Sequence, residues 1–237
     1  MRLIKLTDAD GQTRGRTQWA EGAIHQAKPG DGPLCSEYWI HAYKTPLLAV
    51  LCNPLHANIG HPIGWEAEGD IGADDGLKVG SKALTTLRRI DLPVVSIAQR
   101  VRWGILCALK VRQSAAFETW AARWLSGKDR SGSSAAEATE KAAAAAVWAE
   151  TRAEKAAAWA GAWATAAAAR AAEAATAEAE KAATEAEAAK ARAAWAAAEA
   201  AAAEKAAAAA TAAAAAVWAG ASIDFVSLAE RAVMEEP

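Results

Sequence analysis

The stretch EYWIHAYKTPLLAVLCNPLHANIGHPIGWEAEGD, residues 37–70, holds three of the four histidines, Cys52 and several carboxylates. Three chemistries could be drawn from it. A zinc site would take His56, His61 and either Cys35 or Cys52. Structural zinc sites favour two close ligand pairs, and this spacing does not supply two, so we expect no metal. A paired-carboxylate site would use Glu66, Glu68 and Asp70, which alternate along one strand; such alternation is also the ordinary solvated side of a sheet. Nucleophilic catalysis has no supporting context, because no G-x-S-x-G elbow is present and no cysteine sits in an activating motif. The glycines of KPGDGP and GADDGLKVG follow neither GxGxxG nor GxxxxGK[ST] order and read as turns. We therefore expect no cofactor.

The elements that would carry these residues are legible in outline. RLIKLT (2–7) reads as a strand closed by Asp8-Ala9-Asp10-Gly11, and EYWIHA (37–42) as a second. Thr45-Pro46 opens a short buried helix, with Thr45 as N-cap and Pro46 at the first helical position, and Pro54 is expected to stop it. GWEAEGDI (64–71) and ALTTLRRI (83–90) complete four strands. Ser96-x-x-Gln99 is a capping box that starts a helix with Ile97, Val101, Ile105, Ala108 and Leu109 on one face. A further helix carries Phe117, Trp120, Ala121, Trp124 and Leu125 and closes at Gly127. The run SGKDRSGSS (126–134) reads as a linker or sharp turn.

Beyond it the composition changes. Residues 134–219 contain 52 alanines in 86 positions, and all prolines but Pro237 lie before residue 94. Alanine has the best helix propensity, so the expected fold is an α+β N-terminal domain, residues 1–130, followed by an all-α module, residues 131–237. That module would be a helical hairpin, bundle or long coiled helix, ended by a short amphipathic helix. The motif AAAAAVWA recurs at 142–149 and 212–219. Trp148, Trp159, Trp163, Trp195 and Trp218 are costly to expose and are expected to mediate helix packing or self-association.

Charge narrows the partners. Residues 1–133 carry 17 basic and 13 acidic groups, and residues 134–219 carry 8 and 11, so neither half is a strongly basic footprint. Arg88, Arg89, Arg100, Arg102, Lys110 and Arg112, with Trp103 among them, could form a basic aromatic patch, but six such charges are also ordinary solvation and edge protection. We expect no nucleic-acid partner. The longest uncharged stretch, 206–223, is nearly all alanine and too weakly apolar for a membrane span. Three widely spaced cysteines suit reduced thiols in a cytoplasm.

From about Leu34 to Leu125 the chain resembles a family of uncharacterised bacteriophage and prophage accessory proteins. The residues that carry this are LCSEYWIHAYKTPLLAVLCNPLHANI, WEAEGDIGADDGLKVGSKALTTLRRIDLP, QRVRWGILCAL and FETWAARWLSGKDRS. The resemblance implies a small α/β domain joined to an alanine-rich segment and expressed in the cytoplasm of a bacterial host. The resemblance itself supplies no activity; we expect action on a host or phage protein, a host-defence component included, by binding or self-association rather than catalysis. A fainter similarity links WIHAY (39–43), TPLLAVL (45–51) and WEAEGD (65–70) to ADP-ribosyltransferase folds. That similarity implies an active or degenerate enzyme in which His41 or Tyr43 lies near a nicotinamide and Glu66 or Glu68 acts on the ribose. The serine-threonine-serine and glycine-tyrosine patterns of those enzymes are absent.

Overall fold

A computed structural model of the 237-residue chain describes residues 1–110, 115–131, 133–135, 137–138, 169, 172 and 223–234. The chain divides into two units, Met1–Val94 with Asp224–Glu230, and Val95–Ile223 with Arg231–Pro237. Residue 130 falls inside the second, in the turn that follows the helix Ala115–Leu125.

The first unit is a mixed α/β fold built on antiparallel pairing. Its main sheet has the order β1 (Arg2–Thr7), β6 (Ile63–Glu68), β9 (Ala83–Ile90), β4 (Ile24–Gln26). A second sheet has the order β5 (Ile40–Ala42), β8 (Val79–Ser81), β7 (Ala73–Asp74), and a two-residue hairpin joins β2 (Gln12–Thr13) to β3 (Thr17–Gln18). Tyr43, just past β5, bridges to Ile4, so the second sheet reaches the β1 edge of the first.

Partners directly opposite in an antiparallel ladder share a face. Leu3 faces Ala67, and together with Leu84 they pack with Trp19, Ala42 and Val79 as the core of this unit; Lys5 faces Trp65 on the same side of the ladder. Arg2, Ile4 and Leu6 take the other face, opposite Glu68, Glu66 and Gly64. On β9 the alternation breaks once. Glu66 pairs with Arg88 while Ala67 pairs with Thr86, leaving Leu87 as an extra residue, a β-bulge. Without the bulge, Thr86 and Arg88 would point the same way. With it, Arg88 turns to the side of Glu66, and Arg89 turns to the side of Trp65, where its guanidinium stands 5.1 Å from the ring centroid.

Helix α1 (Pro46–His56) begins as expected, with the Thr45 hydroxyl accepting the Leu48 N–H at 3.2 Å. It does not stop at Pro54 but runs two residues further. A proline withdraws only its own N–H, and near a C-terminus the last turn survives that loss. Asn53 then fixes the exit, since its side chain both donates to the Ile59 carbonyl, at 2.9 Å, and accepts the Ile59 N–H, at 3.1 Å.

In the second unit, α2 (Ile97–Ala108) shows both bonds of the Ser96–Gln99 capping box, and α3 (Ala115–Leu125) follows. Val101 and Ile105 of α2 pack with Phe117, Trp120 and Trp124 of α3 and with Ala135. The segment after α3 is a tied turn: Arg130 donates to the Trp124 carbonyl at 3.1 Å and lies over its ring. Ala169 packs on the same cluster. The final helix, α4, spans Phe225–Met234, its residues as far as Glu230 belonging to the first unit, and buries Phe225, Leu228, Ala229 and Ala232. Trp148, Trp159, Trp163, Trp195 and Trp218, and with them the expected hairpin, bundle or long helix, lie outside the described residues.

Candidate functional site

The β5 strand places His41 and Tyr43 on one side by its two-residue period, and α1 brings His56 back to them. The Tyr43 hydroxyl meets Nδ1 of His56 at 3.4 Å, and the two rings stack with centroids 5.9 Å apart. His41 donates from Nε2 to the Leu34 carbonyl. Lys5, reaching from β1, donates to the His41 carbonyl at 3.0 Å and stands 4.9 Å from the Trp19 ring centroid. Lys78 and Asp75 lie close enough to His41 to act on its charge.

Burial governs the protonation of this cluster. It holds His56 down to about 3, with the Lys78 and His41 charges pushing the same way. His41 is lowered first by burial and further by Lys78 and Lys5. Burial raises the Tyr43 phenol beyond its ordinary range and lowers the Lys5 ammonium to about 8. At neutral pH the site therefore has two neutral imidazoles, a protonated phenol and a buried ammonium whose contacts are a carbonyl and an indole ring.

Lys5 gives a direct expectation. Its folded pKa is below the unfolded value of 10.5, so between about 8 and 10.5 the unfolded chain binds the extra proton. Stability should therefore rise with pH across that window, by about 3 kcal/mol in total, and the deficit should be constant below it. Urea midpoints from pH 7.5 to 10.5 measure this. The Lys5→Met variant should lose the rise, and a slope unchanged from wild type would show that Lys5 is not its source.

Glu66 sits elsewhere on the sheet. Tyr43, Ile4, Glu66 and Arg88 form one lateral row across adjacent strands, which puts Glu66 two strands from Tyr43, roughly 10 Å at ordinary strand spacing. The Glu66 carboxylate is held by Arg88, whose Nε lies 2.6 Å from Oε2, and by Arg2 at Oε1. Those bonds, Arg88 first, keep it below the usual carboxylate range. Glu68 faces Arg2 in the ladder and is exposed. The structure thus joins His41 with Tyr43, adds His56, Lys5 and Lys78 to them, and gives Glu66 to two arginines.

At the open end of the β6–β9 ladder, Ile63, Gly64, Arg88, Arg89, Ile90 and Leu92 line a groove of about 480 Å³. β4 pairs with β9 only as far as Thr85, and among the described residues no strand pairs with the outer side of Leu87–Ile90. Of the other expected basic-patch residues, Arg102 and Trp103 are buried, Lys110 is exposed and Arg112 lies outside the described residues. Among the described residues no group of three or more His, Cys, Asp or Glu could hold a metal ion. Among them, too, no helix is long and apolar enough to cross a membrane.

Comparison with protein-family models, with curated proteins and with solved structures finds no match for this chain.

Proposed function

We propose that this chain is a non-enzymatic bacteriophage accessory protein that holds a host or phage protein in the bacterial cytoplasm, assisted by self-association through its alanine-rich half. The observation that carries the binding reading is the outer stretch of β9 between Leu87 and Ile90. There a strand edge that no strand among the described residues pairs, two exposed guanidinium groups and an adjoining groove meet. Open edges accept an extended segment of another chain by main-chain pairing, and arginines beside them favour acidic residues in that segment. The Glu66 carboxylate, held by Arg2 and Arg88, supports the same reading, because a group so engaged shapes the edge rather than meeting a substrate.

Affinity purification from infected cells tests this, with wild type compared against the Arg88→Gln/Arg89→Ser variant and the Glu68→Gln variant. A partner retained by wild type and Glu68→Gln, and lost from the folded arginine variant, is the expected result. Partner capture indifferent to the arginine changes would show that the β9 edge is not the binding surface.

The second reading, an ADP-ribosyltransferase-like enzyme, is favoured by one observation: His41 and Tyr43 come together within a cluster of groups whose protonation burial has altered. NAD cleavage by the wild type that disappears in Tyr43→Phe and in Glu66→Gln, both still folded, would establish it over the binding reading.

A further inference from the structure

We propose that Cys35 and Lys78 are a modification site for peroxide, at which oxidation joins the Cys35 sulfur to the Lys78 nitrogen through one oxygen atom. The inference is independent of the binding reading. It rests on a sulfur and an amine already in contact and differently exposed. Lys78 Nζ donates to Cys35 Sγ at 3.0 Å, across 43 residues of sequence. The lysine is 5% exposed, while Cys35 is open to solvent. A dissolved oxidant therefore reaches the sulfur first, and the amine waits behind it.

Both partners are held in place by their surroundings. Lys78 follows the β7–β8 turn, where Asp75 Oδ1 accepts the Leu77 and Lys78 N–H groups at 3.0 and 2.8 Å. Asp75 Oδ2 also stands 3.9 Å from the Lys78 ammonium, the nearest carboxylate to it in the turn. Cys35 follows the buried Leu34, whose carbonyl receives His41 Nε2 and whose side chain lies so close over Gly80 that a Cβ there would come within 2.6 Å of it. Neither group needs to travel for the two to meet. That separates this pair from an isolated surface thiol.

The chemistry takes two peroxide molecules. The first oxidises the thiol to a sulfenic acid: the sulfur gives up two electrons, one peroxide oxygen bonds to it, and the other leaves as water. Lys78 releases its ammonium proton to solvent. The second peroxide takes two more electrons as the sulfenic oxygen bonds to the amine nitrogen, and the hydrogens lost from that oxygen and nitrogen leave with the peroxide oxygens as two waters. One thiol, one amine and two peroxides thus give one S–O–N linkage bearing a single N–H and three waters. The linkage would pin the irregular segment before β5 to the start of β8, and thiol reduction would release it.

The test uses the whole chain, treated with dilute hydrogen peroxide and digested without reductant for mass spectrometry. The expected product is a joined peptide pair containing Cys35 and Lys78, heavier than the two by one oxygen and lighter by two hydrogens, that separates on addition of dithiothreitol. Lys78→Arg should abolish it and leave a Cys35 sulfenic acid that dimedone traps; Cys35→Ser should abolish both. The buried Cys52 and Cys107 should stay unmodified at the same dose, which reports that the fold is intact. The wild type alone decides the matter should a variant fold poorly. Cys35 found as sulfinic acid, sulfonic acid or an intermolecular disulfide, with Lys78 unlinked in that wild-type digest, would overturn the proposal.

Discussion

Acidification should unfold this protein through His56. Its folded pKa of about 3 lies well below the unfolded 6.5, so the unfolded chain takes up a proton that the folded chain refuses. The contribution of His56 is therefore complete above about pH 6.5 and is lost as pH drops toward 3, by about 5 kcal/mol if this group acted alone to the end of its range. The groups that face it act in the same sense: Lys78 and His41 oppose a charge on the ring, and His41 is itself lowered. Glu66, lowered by Arg88 and Arg2, also gives up stabilisation as pH falls. A loss of that size is comparable to the whole stability of many domains. His56→Phe keeps a ring to stack on Tyr43 and removes the titration, so its acid transition, followed by circular dichroism, should move to lower pH. An unchanged acid midpoint in that variant would assign the sensitivity to other groups.

The second large effect belongs to Trp65. It is 4% exposed, lies beside Lys5 on the core face of the main sheet, and donates its indole N–H to the Thr7 hydroxyl at 3.0 Å. Truncation to alanine removes the ring from the core and leaves a cavity, which costs about 3–5 kcal/mol for large aromatic residues. Trp65→Phe should cost less, since it keeps most of the apolar contact and gives up the hydrogen bond to Thr7. Thr7→Val should leave the buried indole N–H unmatched, at about 1–3 kcal/mol. Urea unfolding of the three variants at pH 7.5 orders them. A Trp65→Ala cost under about 1 kcal/mol would mean that this ring does not hold the unit together.

How much of this was readable beforehand follows from the range of each signal. β1, β9, the start of α1 and the capped start of α2 were legible because their causes are local: an alternation, a Thr-Pro pair, a Ser and a Gln three apart. Strands of two or three residues, such as β2, β3, β4, β7 and β8, carry too few alternating positions to announce themselves and exist through their partners. The strand expected over 37–42 shortens to Ile40–Ala42, because the Trp39 indole turns back to the Gly32 carbonyl, at 2.9 Å. At the site, His41 and Tyr43 were visible as a pair two residues apart. Lys5 was not, since a lysine in an edge strand reads as solvation, and its burial beside the Trp19 ring and the His41 carbonyl comes from residues distant in sequence. Nor could spacing give Glu66 to Arg88: regular alternation along ALTTLRRI would have set Arg88 on the face of Leu84 and Thr86.

The bulge at Leu87 also bears on chain length. β9 holds one residue more than β6 can pair, and everything after it, Arg88 opposite Glu66 and Arg89 opposite Trp65, is in phase with β6 because that surplus has been absorbed. Removal of Leu87 would return the ladder to plain alternation without moving either arginine to the wrong face. A residue lost from β6 between Trp65 and Ala67, or gained between Arg88 and Ile90, has no such slack. It would slide a guanidinium toward the core and an apolar side chain toward solvent. Of all the positions along this strand, Leu87 is the one at which the chain can change its length and keep its pairing.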